Sequence, residues 1–189
     1  MQIRAGLQLL ALTFLLLLSS AVGTAQSRDH LTPQEIELVQ DSQILDKRID
    51  VFIKASERRM LVLTGTQTSN SKQLQKDSEK WGELPKGTRA ELINDIAKIL
   101  DEAITNIDDV SLHDEKNPLL PKALRKLATF ATQVVTQLTP IREQSRNADE
   151  LSGIAQTLDS AQSIIEAEKK LPPPSDTEKT KGKTKKPKG

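Results

Sequence analysis

Apolar residues recur at three- and four-residue steps through most of this chain, and nowhere do they alternate residue by residue over the length of a strand. That period is helical. Leu92, Ile96, Ile99 or Leu100, Ala103, Ile107 and Val110 form the cleanest stripe. Leu124, Leu127, Phe130 or Ala131, Val134, Leu138 and Ile141 form another, and Leu151, Ile154 or Ala155, Leu158, Ala161 and Ile165 a third. Leu38, Leu45, Ile49, Phe52, Ala55 or Ser56, and Leu63 lie near one line, with no Gly or Pro between Pro33 and Gly65.

Punctuation agrees with these stripes. Thr32-Pro33-Gln34-Glu35 holds a cap, a proline preset for the first helical turn and a glutamate able to close a capping box, with Leu31 and Ile36 at the staple positions. Thr88 with Glu91 repeats the box, Asn117-Pro118 and Pro121 mark another start, and Asn147 with Glu150 a further one. Pro140 should kink or end its helix, and Pro172 to Pro174 stop the last. The pattern predicts an all-α fold. It is an antiparallel bundle of about four amphipathic helices, roughly 33–64, 89–112, 119–143 and 148–170. At 1.5 Å per residue the first would overhang the others by about two turns. Residues 65–87 read as a long polar connection with a short helix around Ser71 to Trp81, ended by Gly82 and Pro85, and Trp81 is expected to anchor it to the bundle. A connection of that length suggests a functional or mobile segment.

Composition changes the picture at both ends. Residues 1–25 join Arg4, an apolar run from Leu7 to Val22, and Gly23-Thr24-Ala25, the layout of a secretory signal peptide cleaved after Ala25. The alternative is a retained anchor, for which the run is short of the ~20 residues a span requires. No second long apolar stretch follows, so the remainder carries no membrane span. The chain has no cysteine. That excludes a lipoprotein anchor, disulfides, thiolate metal sites and a cysteine nucleophile. An exported, periplasmic or secreted bundle spanning 26–171 is expected. From 172 to 189, Lys179, Lys181, Lys183, Lys185, Lys186 and Lys188 outweigh Asp176 and Glu178 by +4, with no apolar residue to bury. This reads as a disordered tail able to attract an anionic polymer or lipid headgroups. Lysine without arginine or aromatic residues argues against specific nucleic-acid recognition.

Candidate chemistry is sparse. Asp109, His113 and Asp114, near Asp108 and Glu115, are the candidate metal ligands, with Asp109 and His113 one turn apart. A Ca²⁺ loop pattern and a Glu-x-x-His pair are both missing, which excludes a ferritin-like di-iron site. Met60 reads as core and His30 as a solvated terminal residue. Arg58-Arg59 and the Asp46-Lys47-Arg48/Asp50 group read as surface pairings one turn apart. Phosphate-loop, nucleophile-elbow and zincin motifs are absent, so no enzyme and no cofactor is expected.

Leu31-Thr32-Pro33 and Leu138-Thr139-Pro140 resemble the Leu-Thr-x-x-Gln repeats of periplasmic helical chaperones and metal-stress sensors, with Glu35 and Arg142 in place of the glutamine. The resemblance implies a non-enzymatic chaperone or sensor role. The leading expectation is an exported, non-enzymatic bundle that binds another macromolecule as an adaptor or chaperone-like module. A metal- or small-ligand site around His113 and an envelope protein anchored by the lysine tail are the alternatives.

Overall fold

The computed structural model describes residues 28–65 and 77–173. The leader at 1–25, the start of the helix expected around Ser71 and the six tail lysines lie outside the described residues. Five helices of nine or more residues carry the fold: α1 Pro33–Asp41, α2 Leu45–Thr64, α3 Arg89–His113, α4 Leu119–Gln144 and α5 Ala148–Lys169. No strand occurs among the described residues, and none of their helices is long and apolar enough to cross a membrane.

Local chemistry sets most of the helix ends. Thr32 Oγ1 accepts the Glu35 N–H at 3.3 Å, and the Glu35 carboxylate accepts the Thr32 N–H at 2.9 Å. Thr88 and Glu91 close the same box on α3. Asn147 Oδ1 accepts from the Asp149 and Glu150 N–H groups at 2.9 and 3.1 Å. There the return bond differs, because the Asn147 N–H donates to Ser145 Oγ at 3.3 Å and not to Glu150. Gly65 (φ 64°) ends α2, and Gly82 (φ 70°) ends a helical turn at 77–81, both in the left-handed region that glycine enters freely.

Helices α2 to α5 form the bundle. Successive helices run in opposite directions, but α3 and α4, joined by 114–118, face each other across a diagonal. Each side of the bundle is therefore either a connected antiparallel pair or an unconnected parallel one. Between α2 and α3 the contacts are antiparallel: Arg89 reaches the Leu63 carbonyl at 3.5 Å and Arg48 reaches Asn106 at 3.0 Å. Helices α4 and α5 are likewise antiparallel, through the 145–147 turn. Helix α5 lies parallel to α3, with Thr157 Oγ1 over the Ile93 carbonyl at 3.4 Å and Ser160 Oγ on Asp101 at 2.8 Å. Helix α4 lies parallel to α2, Lys126 meeting Asp50 at 2.7 Å while Lys122 meets Asp46.

Ile49, Phe52, Ile93, Ile96, Ile99, Leu100, Leu127, Val134, Leu138, Ile154 and Ile164 fill the centre, and Met60 is buried with them. At the α3/α5 crossing a Cβ on Gly153 would collide with Asn94 Oδ1 and sit 3.1 Å from Ile93 Cγ2. Glycine there lets the two backbones approach.

One expectation about helix extent changes. The stretch 33–64 is not one overhanging helix. The chain breaks at 42–44 and α1 folds back along α2. Nothing in Asp41-Ser42-Gln43-Ile44 compels a break, and Ile44 supplies no side-chain cap to α2 and is 55% exposed. The gain lies in tertiary contact. Folding back buries Leu31, packs Ile36 and Val39 on the core and brings Glu35 to Arg58 and Arg59. Pro140, expected to kink or end its helix, does not end α4: the helix runs to Gln144, close to the 119–143 expected. Leu138-Thr139-Pro140 thus lies inside a helix, unlike Leu31-Thr32-Pro33, which begins one.

Candidate functional site

Three polar regions stand out, and they differ in whether the protein itself already uses their bonding capacity. The first is a buried knot of charge between α1, α2, α3 and the 77–83 segment. The Glu35 carboxylate, wholly buried, takes four N–H donors: Thr32 N at 2.9 Å, Arg58 Nε at 3.1 Å, and Arg59 Nη1 and Nη2 at 3.0 and 2.8 Å. Four donors fill the acceptor sites of a carboxylate. Arg59 also donates to the Ala55 and His30 carbonyls at 2.6 and 2.5 Å, and its Nε lies 3.6 Å from Asp95 without a hydrogen bond. Arg58 donates to the Gly82 and Glu83 carbonyls and stands 6.0 Å above the Trp81 ring. Trp81 is buried and anchors the connection to the bundle, as expected of it. Arg28 pairs with Asp95 at 2.8 Å. Burial pushes the Asp95 carboxyl above its ordinary range, with Arg28, Arg59 and His30 opposing the rise. Burial likewise lowers Arg58, against the pull of Glu35.

This knot corrects two sequence expectations. Arg58 and Arg59 are not surface pairings, and His30 is not a solvated residue, since its ring contacts Glu102 at 2.8 Å and its carbonyl holds Arg59. A signal was present: Arg59 stands one turn after Ala55 and one before Leu63, on a line otherwise apolar. The knot holds the 28–41 arm on the bundle, and, Arg59 Nε apart, its donors and acceptors are directed at one another.

The second region latches α2 to α4. Lys126 Nζ donates to both Asp50 carboxylate oxygens at 2.7 and 2.8 Å and to the Asp46 carbonyl at 3.1 Å, while Lys122 pairs with buried Asp46. Burial by itself would raise Asp46, but the Lys122 hydrogen bond and the Lys126 charge outweigh it and hold the carboxyl below its ordinary value. Asp46 and Asp50 therefore serve a contact between helices, where the spacing had suggested pairs within one. Lys47–Asp50 is a pair within the helix, at 3.9 Å.

The third region is the outer furrow between parallel α3 and α5. From Ile99 to Glu115 and from Ala148 to Glu168 the chain holds no Lys or Arg. Asp101, Asp108 and Asp109 on α3, and Asp159 and Glu166 on α5, are exposed. A slot of about 110 Å³ opens where the helices converge with α4, lined by Ile104, Ile107, Asp108, Leu124, Ile164 and Ala167 among others. Leu112, one turn beyond Asp108 on the same face of α3, is 86% exposed.

The candidate metal ligands fall at the end of this furrow. Asp109 and His113 lie one turn apart at the end of α3 and Asp114 follows as its C-cap. His113 Nδ1 lies 2.7 Å from the Asp109 carbonyl and 3.5 Å from its carboxylate, with both side chains open to water. Among the described residues, no three His, Asp or Glu side chains converge to hold an ion.

No protein-family model, curated protein or solved structure matches this chain.

Proposed function

We propose that this chain is an exported, non-enzymatic helical-bundle protein that binds another macromolecule, as an adaptor or chaperone-like module. Export is supported by the apolar run and small-residue end of residues 1–25. The non-enzymatic reading is supported by the state of the buried ionisable groups. Glu35, Arg58, Arg59 and Asp46 are engaged by one another, by backbone carbonyls or by neighbouring lysines, and so are committed to structure.

The observation that carries the binding reading is the α3/α5 furrow. A large apolar side chain left 86% exposed beside an apolar slot offers area that a second molecule would cover. The test is affinity capture by the chain from its own extracytoplasmic fraction at low and high salt. A stoichiometric protein partner that survives high salt is the expected result. Capture of anionic polymer or lipid alone, lost at high salt, would overturn the reading and move function to the lysines from 179 to 188.

A further inference from the structure

We infer that the α3/α5 furrow seats a cationic amphipathic helix of a partner protein, its apolar ridge in the slot and its lysines or arginines against the acidic lips. This rests on the macromolecule-binding reading above and adds the site and the partner's chemistry. The floor argues for an apolar ridge. Ile104, Ile107, Leu124 and Ile164 line a slot whose 110 Å³ suits a single branched side chain, and Leu112 stands exposed one turn beyond Asp108, which lines its edge. Ridge side chains spaced three and four apart would follow such a line.

The lips argue for positive charge. Between Lys98 on α3 and Lys169 on α5, the two helices present Asp101, Asp108, Asp109, Asp159 and Glu166 and no Lys or Arg, with Asp108 at the edge of the slot itself; the nearest cation on α4, Arg125, is bonded to the Pro172 carbonyl beyond α5. The parallel arrangement adds to this, because both helices end at the same end of the bundle and their carbonyl ends bear partial negative charge. Acids at a helix C-terminus oppose stability. Asp108 and Asp109 near the end of α3 therefore gain nothing from its dipole. The chain's own lysine-rich sequence from 174 to 189 has no apolar side chain to enter the slot.

The probe is a synthetic amphipathic helix of roughly 18 residues, five turns, with leucines on one face and lysines on the others, added to the isotope-labelled chain. Backbone resonances of Ile104, Asp108, Leu112, Ser163 and Ala167 should shift together and saturate. Replacing the probe's leucines by serine at equal charge should weaken binding at least about tenfold, the equivalent of one buried aliphatic side chain. Leu112→Ser, at an exposed position, should keep the fold and weaken the probe about as much. Equal binding of the serine probe, or shifts centred elsewhere, would overturn the inference. So would the same shifts arising with protein concentration alone, since a second copy would then be the occupant. If Leu112→Ser captures the native partner as well as the unmodified chain does, the furrow is wrong and the macromolecule-binding reading stands. If neither captures a partner while the probe still binds, the reverse holds.

Discussion

The bundle contains two parallel helix pairs, and they are held by opposite means. Helices α2 and α4 meet through charge: Lys122 and Lys126 bridge to Asp46 and Asp50. Helices α3 and α5 meet through absence of bulk: Gly153 admits Ile93 and Asn94, and Thr157 bonds across to the Ile93 carbonyl. On the first pair every acid named has a cation beside it. The second pair needs no cations to stay together, so its outer surface is left acidic. A contact secured by backbone proximity leaves the surface charges available for another purpose, while a contact secured by ion pairs uses them.

The sharpest way to break that difference is to add volume at Gly153. Gly153→Leu should force α3 from α5 and destabilise the fold by about 3 kcal/mol, the upper part of the overpacking range, measured by urea unfolding. Gly153→Ala should be far milder, because its main collision is with the movable end of Asn94. Unequal destabilisation in that order supports contact through absence of bulk, and equal effects would refute it.

Asp46→Ala should cost about 1–2 kcal/mol. That is less than a fully buried pair, because Lys122 and Lys126 retain access to water. A double-mutant cycle with Lys126→Ala should show coupling of about 0.5–1 kcal/mol, and strict additivity would remove the latch. The same residue sets a pH dependence. Asp46 in the native state lies below its ordinary value of 3.8. Its contribution is therefore complete above that value and is lost as pH falls through the lowered native one. Asp46→Asn should lose this part of the acid sensitivity, visible as a flatter fall in melting temperature below about pH 4.

The smallest effect belongs to the acidic pair. Asp109→Lys should raise stability by about 0.5 kcal/mol, by placing a cation at the C-terminal end of α3. A loss of stability would mean that Asp109 serves the fold after all.

Much of this was legible residue by residue. The boxes at Thr32 and Thr88, the Asn147 cap and the stripes from Leu92, Leu124 and Leu151 are local or periodic signals, and α3, α4, α5 and the start of α1 follow from them. The furrow was half legible, since the cation-free stretches 99–115 and 148–168 can be read directly, while the adjacency of those stretches cannot. Arg58 and Arg59 were misread as solvent-facing because ordinary charge patterning places arginines in water, and only the carboxylate of a residue more than twenty positions earlier reverses that. The break at 42–44 was invisible for the same reason.

The two capping boxes mark the boundary between what sequence determines and what folding decides. Thr32 with Glu35 and Thr88 with Glu91 have the same spacing and form the same reciprocal bonds. The sequence alone determined those bonds, because they close within one helical turn. Glu91 remains exposed, and the Thr88 backbone N–H it accepts holds its carboxyl below the ordinary value. Glu35 is wholly buried under two arginines, and around it the arm folds back, the long helix divides and the 77–83 segment is fastened. Tertiary structure decided which box became a junction. A desolvated carboxylate is stable only where several donors arrive together, and their arrival depends on the path of the whole chain.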